Sequence, residues 1–342
     1  MGSVSIIGLD LAKRFFQAHG ADVSGKKVFS TKLARGQVLS FFKKQEPCIV
    51  AMEACSSSHY WGREIGALGH EIKMIPPQYV KPFVKRQKND AADAEAICEA
   101  AVRPNMRFVE VKSEDQHSQA ILFRARDLLV RQRTAMINAV RGHCGEFGIS
   151  TAIGNKGYEA LKVAITGANS NDLPEIARSV LDLLIETLDH LTTQIDALNK
   201  KIAASAKSDP MNRALTSIPG VGPITALAIK ALGPDAKTFA SGRDYAAWMG
   251  LVPQQHSSGG KERLGKITKK GNRTLRRLLV ICAGTVITSV KRGRTAPDPW
   301  LAGIIARLPG MKAITALANK LARIIWAIQV KGGVYQAPKA KA

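Results

Sequence analysis

Apolar positions in the first hundred residues fall in short β-branched runs separated by turn-forming stretches, the pattern of strands alternating with helices. Val4 to Leu9 is such a run, and Arg14 to His19 and Lys27 to Thr31 continue it, with Gly20 to Gly25 as the turn between the last two. Three consecutive strands make a meander. Gln37 to Lys44 reads as a helix, Cys48 to Met52 as a buried strand, Tyr60 to Leu68 as a helix ended by Gly69, and Glu71 to Ile75 as a strand stopped by Pro76 and Pro77. Asp90 to Val102 reads as an Ala-rich helix.

The pattern then lengthens. Glu114 to Phe147 predicts one long helix with Ile121, Leu122, Ala125, Leu128, Leu129, Met136, Ile137 and Val140 on one side and five arginines on the remainder. After a Gly- and Asn-rich break, Gly154 to Asn171, a second amphipathic helix runs from Leu173 to Ala206. Its apolar positions are Ile176, Val180, Leu183, Leu184, Thr187, Leu188, Leu191, Ile195, Leu198 and Ile202. Two helices of about thirty residues each span about 45 Å, which makes them either a spacer or a coiled-coil dimerisation element. Three strands followed by α/β units give the order of a ribonuclease-H-like α/β fold. With 342 residues, more than one compact core usually needs, the chain reads as residues 1–112, a helical spacer 113–206, and a mainly α segment 207–342.

Charge narrows the partners. Lys and Arg number 50 against 27 Asp and Glu, a net +23, and residues 207–342 hold 23 Lys and Arg against five acids. Such a field suits a polyanion, either nucleic acid or an acidic membrane face. The apolar run Leu278 to Val290 carries Thr and Ser and is shorter than the roughly 20 residues of a spanning helix. Val4 to Leu9 is too short for a signal peptide. No membrane partner is expected, and the location expected is the cytoplasm, at the nucleoid. The five cysteines form no C-x-x-C pair, so neither a disulfide framework nor a zinc ribbon is indicated.

Two carboxylates end apolar strands: Asp10 after Ser5 to Leu9, and Glu53 after Ile49 to Met52. A carboxylate there is costly unless a cation neutralises it. Asp90 and Asp93, at i and i+3, share a face at a helix start, where capping and dipole complementarity also favour acids. Four acids on two strands and a helix, in a basic chain, suit two Mg²⁺ ions about 4 Å apart performing phosphoryl transfer.

The Ile218 to Ala226 segment, Ile-Pro-Gly-Val-Gly-Pro-Ile-Thr-Ala, predicts a hairpin between helices, where Gly220 and Gly222 let backbone N–H groups approach a phosphate. A plain helix–helix turn is the alternative. Gly260 to Lys266 approaches a Walker A loop, but Ile267 stands where Ser or Thr must bind magnesium, so an NTPase is excluded. What remains is a Ser257-Ser258-Gly259-Gly260 turn leading into Lys261, Arg263, Lys266, Lys269, Lys270, Arg273, Arg276 and Arg277, a surface for nucleic-acid backbone. No Ser-His-Asp spacing accompanies the serines.

Gly8-Leu9-Asp10-Leu11-Ala12-Lys13, Met52-Glu53-Ala54, Lys88 to Ala94, Ile218 to Pro223, and Gly250-Leu251-Val252-Pro253 through Ser258-Gly259-Gly260-Lys261 to Lys269-Lys270-Gly271-Asn272 and Leu275-Arg276 together resemble the DEDD transposases of the insertion-sequence 110 family. The wording is nearest to its 1111 branch, and the match runs in order over nearly the full chain. The resemblance implies a RuvC-like first domain, a coiled-coil spacer and a transposase domain with a catalytic serine. It implies that Asp10, Glu53, Asp90 and Asp93 are the DEDD set and that Ser258 is the nucleophile, with Ser257 beside it. It also implies an element-encoded bridge RNA that pairs with target and donor DNA.

The mechanism implied is attack of Ser258 on a metal-polarised phosphodiester, giving a phosphoserine link and a free 3′-hydroxyl, with reversal after strand exchange. His256 is a candidate base. The carboxylates and Ser258 lie far apart along the chain, so a site shared between subunits of a homo-oligomer, a dimer or tetramer, is expected. The competing reading is a structure-selective nuclease of the Holliday-junction resolvase type, with water as the nucleophile.

Overall fold

β1 (Ile6–Asp10) is buried on both faces, which explains why its sequence is a continuous apolar run without alternation. Ile7 and Leu9 enter one core with Val38, Phe42, Trp61 and Ile65, while Ile6 enters a second with Ala96, Ile97 and Ala100. The computed structural model describes residues 3–84, 89–167 and 173–337. These fall into two compact units, residues 1–114 and 115–342.

In the first unit, β1 pairs antiparallel with β2 (Phe15–Ala21), and β2 with β3 (Lys27–Ala34), which is the expected meander. After α1 (Val38–Phe42), β4 (Ile49–Glu53) joins β1 in parallel; after α2 (Ser58–Gly66), β5 (Glu71–Ile75) joins β4. The sheet order is β3-β2-β1-β4-β5. α3 (Pro77–Val80) and α4 (Asp90–Ala101) follow. This is the mixed α/β unit with a central sheet that the sequence predicts. Because β1 and β4 are parallel, with Leu9 opposite Met52, their last residues leave the sheet side by side at the same end of the strands.

The second unit is mainly helical. It holds α5 (Glu114–Gly145), α6 (Asn155–Thr166), α7 (Glu175–Ser208), α8 (Pro210–Thr216), α9 (Pro223–Leu232) and α10 (Gly242–Trp248). A small hairpin, β6 (Pro253–Gln255) and β7 (Leu264–Ile267), precedes α11 (Arg273–Lys291), α12 (Pro299–Arg307) and α13 (Gly310–Lys331). α13 is long and apolar enough by composition to span a membrane. Its Ala313, Leu317, Leu321, Ile325 and Ile328 stripe is instead part of this unit's core.

Two expectations need correction. The Gly154 to Asn171 break contains α6, whose Leu161 and Ile165 are buried with Val140, Cys144, Leu181 and Ile185; residues 168–171 of that break lie outside the described residues, as does Lys88. The buried sides of the long helices also match those read only in part. Val140 of α5 and Leu188, Ile195 and Ile202 of α7 are buried as read, while Ala120, Phe123 and Cys144 of α5 and Leu181, Ile185 and Ala206 of α7 are buried although the reading did not place them on the apolar side. Ile121, Leu128, Ile176, Val180 and Leu183 face solvent. α7 therefore carries two apolar stripes, and periodicity alone cannot say which one the core takes.

Candidate active site

Asp10 and Glu53 end β1 and β4, and α4 brings its first turn to them. The approach depends on small residues. A Cβ on Gly8 would stand 2.2 Å from the Ala94 carbonyl oxygen and 2.8 Å from the Cys98 nitrogen, so only glycine lets the helix backbone lie this close to β1. The helix start is capped by Asn89, whose Oδ1 accepts from the Ala92 N–H at 2.8 Å. Asp90 and Asp93 are thereby left without a capping duty. One oxygen from each of Asp10, Asp90 and Asp93 lies within 4.8 Å of the others. Glu53 neighbours this trio without belonging to it at that distance, and its charge acts on Asp10.

Burial pushes the Asp10 carboxyl up to about 6, helped by the like charges of Asp93, Asp90 and Glu53 and opposed by the Leu11 N–H. Like-charged oxygens held this close destabilise one another. Hard oxygen donors from three carboxylates fit a divalent cation such as Mg²⁺, which would remove that repulsion. The cluster can hold such an ion and present it to a phosphodiester.

The predicted hairpin at Ile218 to Pro223 is a type II turn: Val221 N–H donates to the Ile218 carbonyl at 3.0 Å, with Pro219 and Gly220 between them and Gly220 at φ +81°. Here glycine also serves packing, because a Cβ would stand 2.7 Å from the Cys282 carbonyl oxygen. Gly222 precedes α9 and has open space around it.

Ser257 and Ser258 stand at the tip of the β6–β7 hairpin and differ in their bonding. Ser257 Oγ accepts the Arg263 N–H at 3.2 Å, holding the two strands together. Ser258 begins the turn itself: Lys261 N–H donates to its carbonyl at 3.1 Å, and Gly259 and Gly260 take φ of +56° and +76°. Two successive positive φ values define a type I′ turn, which demands glycine or asparagine. Ser258 Oγ makes no hydrogen bond among the described residues. His256, two residues earlier, packs its ring 3.2 Å from where a Cβ on Gly265 would lie.

The basic residues divide by duty. Lys261, Arg263, Lys266, Lys269, Lys270 and Arg273 are exposed. Arg276 is engaged within the fold: its Nη1 donates to the Met249 and Lys270 carbonyls at 3.0 and 2.9 Å, fastening the loop before α11 to the end of α10. Arg277 pairs with Asp127 of α5. Asn272 caps α11 through the Thr274 and Leu275 N–H groups. Sequence reasoning missed Gly8 and Asn89 as determinants of the acid cluster, although the asparagine directly before an Asp- and Ala-rich run is an N-cap signal.

A sheet of this order with acids converging at the ends of its parallel strands is consistent with a RuvC-like α/β domain, and residues 7–147 match the DEDD transposase profile of the IS110 group. Residues 212–297 match the profile described as Transposase IS116/IS110/IS902 family. A "Transposase for insertion sequence element IS1328" of Yersinia enterocolitica is 40% identical over 98% of this chain and 99% of its own length. A "Probable family 20 transposase" of Pseudomonas aeruginosa is 45% identical over 98% and 99%. The "Transposase for insertion sequence element IS1111A" of Coxiella burnetii is 39% identical over 98% and 92%. The chain belongs to the IS110/IS116 transposase family and is a DNA-cleaving and rejoining enzyme.

Proposed function

We propose that this transposase cuts and rejoins DNA through a covalent serine link, with Ser258 as the nucleophile. The observation that carries the reading is the contrast at the hairpin tip: Ser257 Oγ is used inside the turn, while exposed Ser258, bridged to Lys261, has an Oγ that makes no hydrogen bond among the described residues. Asp10, Asp90 and Asp93, with Glu53 alongside, would hold divalent metal, which when bound supplies charge neutralisation and polarisation at the scissile phosphate. Ser258 Oγ attacks phosphorus and loses its proton to a base, for which His256 is the nearest candidate along the hairpin. The P–O3′ bond breaks, leaving a serine 5′-phosphodiester and a 3′-hydroxyl. Attack by a 3′-hydroxyl on that phosphoserine restores the DNA and the serine. Lys261 and Arg263 offset the charge developing on the phosphoryl oxygens.

Sequence choice in this reading comes from bridge-RNA pairing with target and donor DNA, while Lys266, Lys269, Lys270 and Arg273, with the Gly220 to Gly222 turn, grip backbone. Residues 1–112, 113–206 and 207–342 serve as carboxylate, spacer and serine segments. A homo-oligomer, dimer or tetramer, assembles through the apolar stripe that α7 leaves exposed, Ile176, Val180 and Leu183, and each site combines carboxylates and a serine from different subunits. The DNA substrate places the enzyme in the cytoplasm, at the nucleoid.

The test incubates end-labelled DNA of the parent element, with its RNA and magnesium, and maps any protein–DNA adduct by mass spectrometry. A phosphopeptide at Ser258 is expected. Cleavage without any adduct would instead establish water as the nucleophile, as in a junction-resolving nuclease.

A further inference from the structure

α11 carries an open groove of about 490 Å³ in the second unit. Its floor is one face of the helix, Gly284, Thr285, Thr288 and Ser289, and Arg292 and Arg294 stand at one end. Ile281, at the other end, is 56% exposed, so this is the solvent side of α11. The opposite side, with Leu275, Leu279, Cys282 and Ala283, belongs to the core.

The backbone fixes the arginine end. Gly293, at φ +69°, turns the chain back after α11; its N–H donates to the Val290 carbonyl at 2.9 Å, and the Arg294 N–H donates to the Ser289 carbonyl at 3.0 Å. This is a Schellman ending. The Ser289 and Thr295 hydroxyls bond at 2.7 Å and tie down the returning chain. Arginines near a helix C-terminus commonly serve its last carbonyls, yet here backbone N–H groups already take those of Thr288, Ser289 and Val290. Neither guanidinium has an acid partner among the described residues. The sequence holds no acid between Glu262 and Asp298, and Asp298 pairs with Lys320. Lys291, Arg292 and Arg294 therefore repel one another in the free protein, a cost that a polyanion removes.

A phosphodiester backbone fits each part of this lining. The small side chains let it come close, the two guanidiniums donate to phosphate oxygens, and Thr288 Oγ1, which makes no hydrogen bond among the described residues, adds a hydroxyl donor. The other hydroxyls are engaged, Thr285 with the Ile281 carbonyl at 3.0 Å and Ser289 with Thr295, so they are not held ready for the 2′-hydroxyls of RNA. An apolar protein partner would bury both guanidiniums unpaired, which is costly.

We propose that this groove seats the phosphate backbone of the substrate DNA, as a second grip separate from the β6–β7 hairpin. α11 has Arg273 as its first residue and Arg292 directly after its last, and its 19 residues span about 28 Å. That length matches about eight base pairs of duplex at about 3.4 Å each. One duplex lying along α11 is thus held at both ends. The inference rests on the enzyme's action on DNA and is independent of which group is the nucleophile.

The test measures, for the full-length protein, the salt dependence of binding and the hydroxyl-radical footprint on a labelled DNA duplex carrying an end of the parent element, and repeats both on an RNA duplex of the same sequence. Arg292→Ala and Arg294→Ala should each lower the salt slope on DNA by about 0.9, one phosphate contact apiece. The double variant should shorten the footprint at one end, opposite to the end affected by Lys266→Ala. Arg292→Lys with Arg294→Lys should keep most of the slope, and Thr288→Glu, which places a negative charge on the groove floor, should weaken binding. Lys331→Ala, at the end of α13 and outside the groove, should change neither slope nor footprint. All of these side chains are exposed, so melting temperatures should stay at the wild-type value. An unchanged slope in the double variant would overturn the proposal. So would losses matched by Lys331→Ala, which would mark only a general field, or a loss confined to the RNA duplex, which would make the groove an RNA surface. Adduct formation at Ser258, assayed separately, reports on the nucleophile, so the two readings fail independently.

Discussion

A methyl group on Gly8 would lie 2.2 Å from the carbonyl oxygen of Ala94, so the spacing between β1 and α4 is set by the absence of one side chain. The acid cluster depends on that spacing, since Asp90 and Asp93 travel with the helix.

Gly8→Ala should therefore separate the acids as well as strain the core. Overpacking of this kind costs about 1–3 kcal/mol, which urea denaturation would measure. Cleavage should fall far more than stability does. A Gly8→Ala protein with full cleavage would show that the acids need not converge.

The raised Asp10 carboxyl makes stability depend on pH in a stated direction. Its folded-state value of about 6 lies above the ordinary 3.8, so its contribution is complete below about 4 and is lost as pH rises through 6. Magnesium bound at the cluster would reverse this by neutralising it. The rise in melting temperature on adding magnesium should thus be small near pH 5 and larger near pH 8, roughly the two sides of that titration. Asp10→Asn should remove most of the difference, as differential scanning fluorimetry would read.

The two hairpin serines should respond differently. Ser258→Ala should abolish the covalent adduct while retaining DNA binding. Ser257→Ala removes one hydrogen bond, worth about 0.5–1.5 kcal/mol, and should slow adduct formation without abolishing it. Adduct yield on denaturing gels separates the two.

Arg276 and Lys266 form a matched pair of substitutions. Arg276→Ala frees two carbonyls and should lower stability by about 1–3 kcal/mol. Lys266→Ala should leave the melting temperature unchanged and reduce the salt slope of DNA binding by about 0.9, the value for one phosphate contact.

Much of the first unit was legible because its strands are buried runs with sharp stops: Pro76 and Pro77 after β5, and Asp10 and Glu53 directly at strand ends. The contact between Gly8 and Ala94 was not, because a glycine in an apolar run carries no pattern that says what approaches it. α6 was hidden by Gly154 and Gly157, which read as a break although Leu161 and Ile165 have helical spacing. The choice of buried stripe on α7 depends on tertiary partners and not on the helix itself. Nothing in the alternation marked β6 and β7 as strands, since every residue of β6 and nearly all of β7 is exposed. Arg276 resembled its basic neighbours until its hydrogen bonds distinguished it.

The β6–β7 hairpin stands as a two-stranded sheet of three- and four-residue strands. Such a pair is marginal in water by itself, and it belongs to the part of a protein that opens at little free-energy cost. If Ser258 is the nucleophile, its hydroxyl rides on that easily opened pair, and DNA docking against the hairpin would fix its aim before bond-breaking begins. In that reading the weakness of the shortest sheet is itself a safeguard against idle cutting.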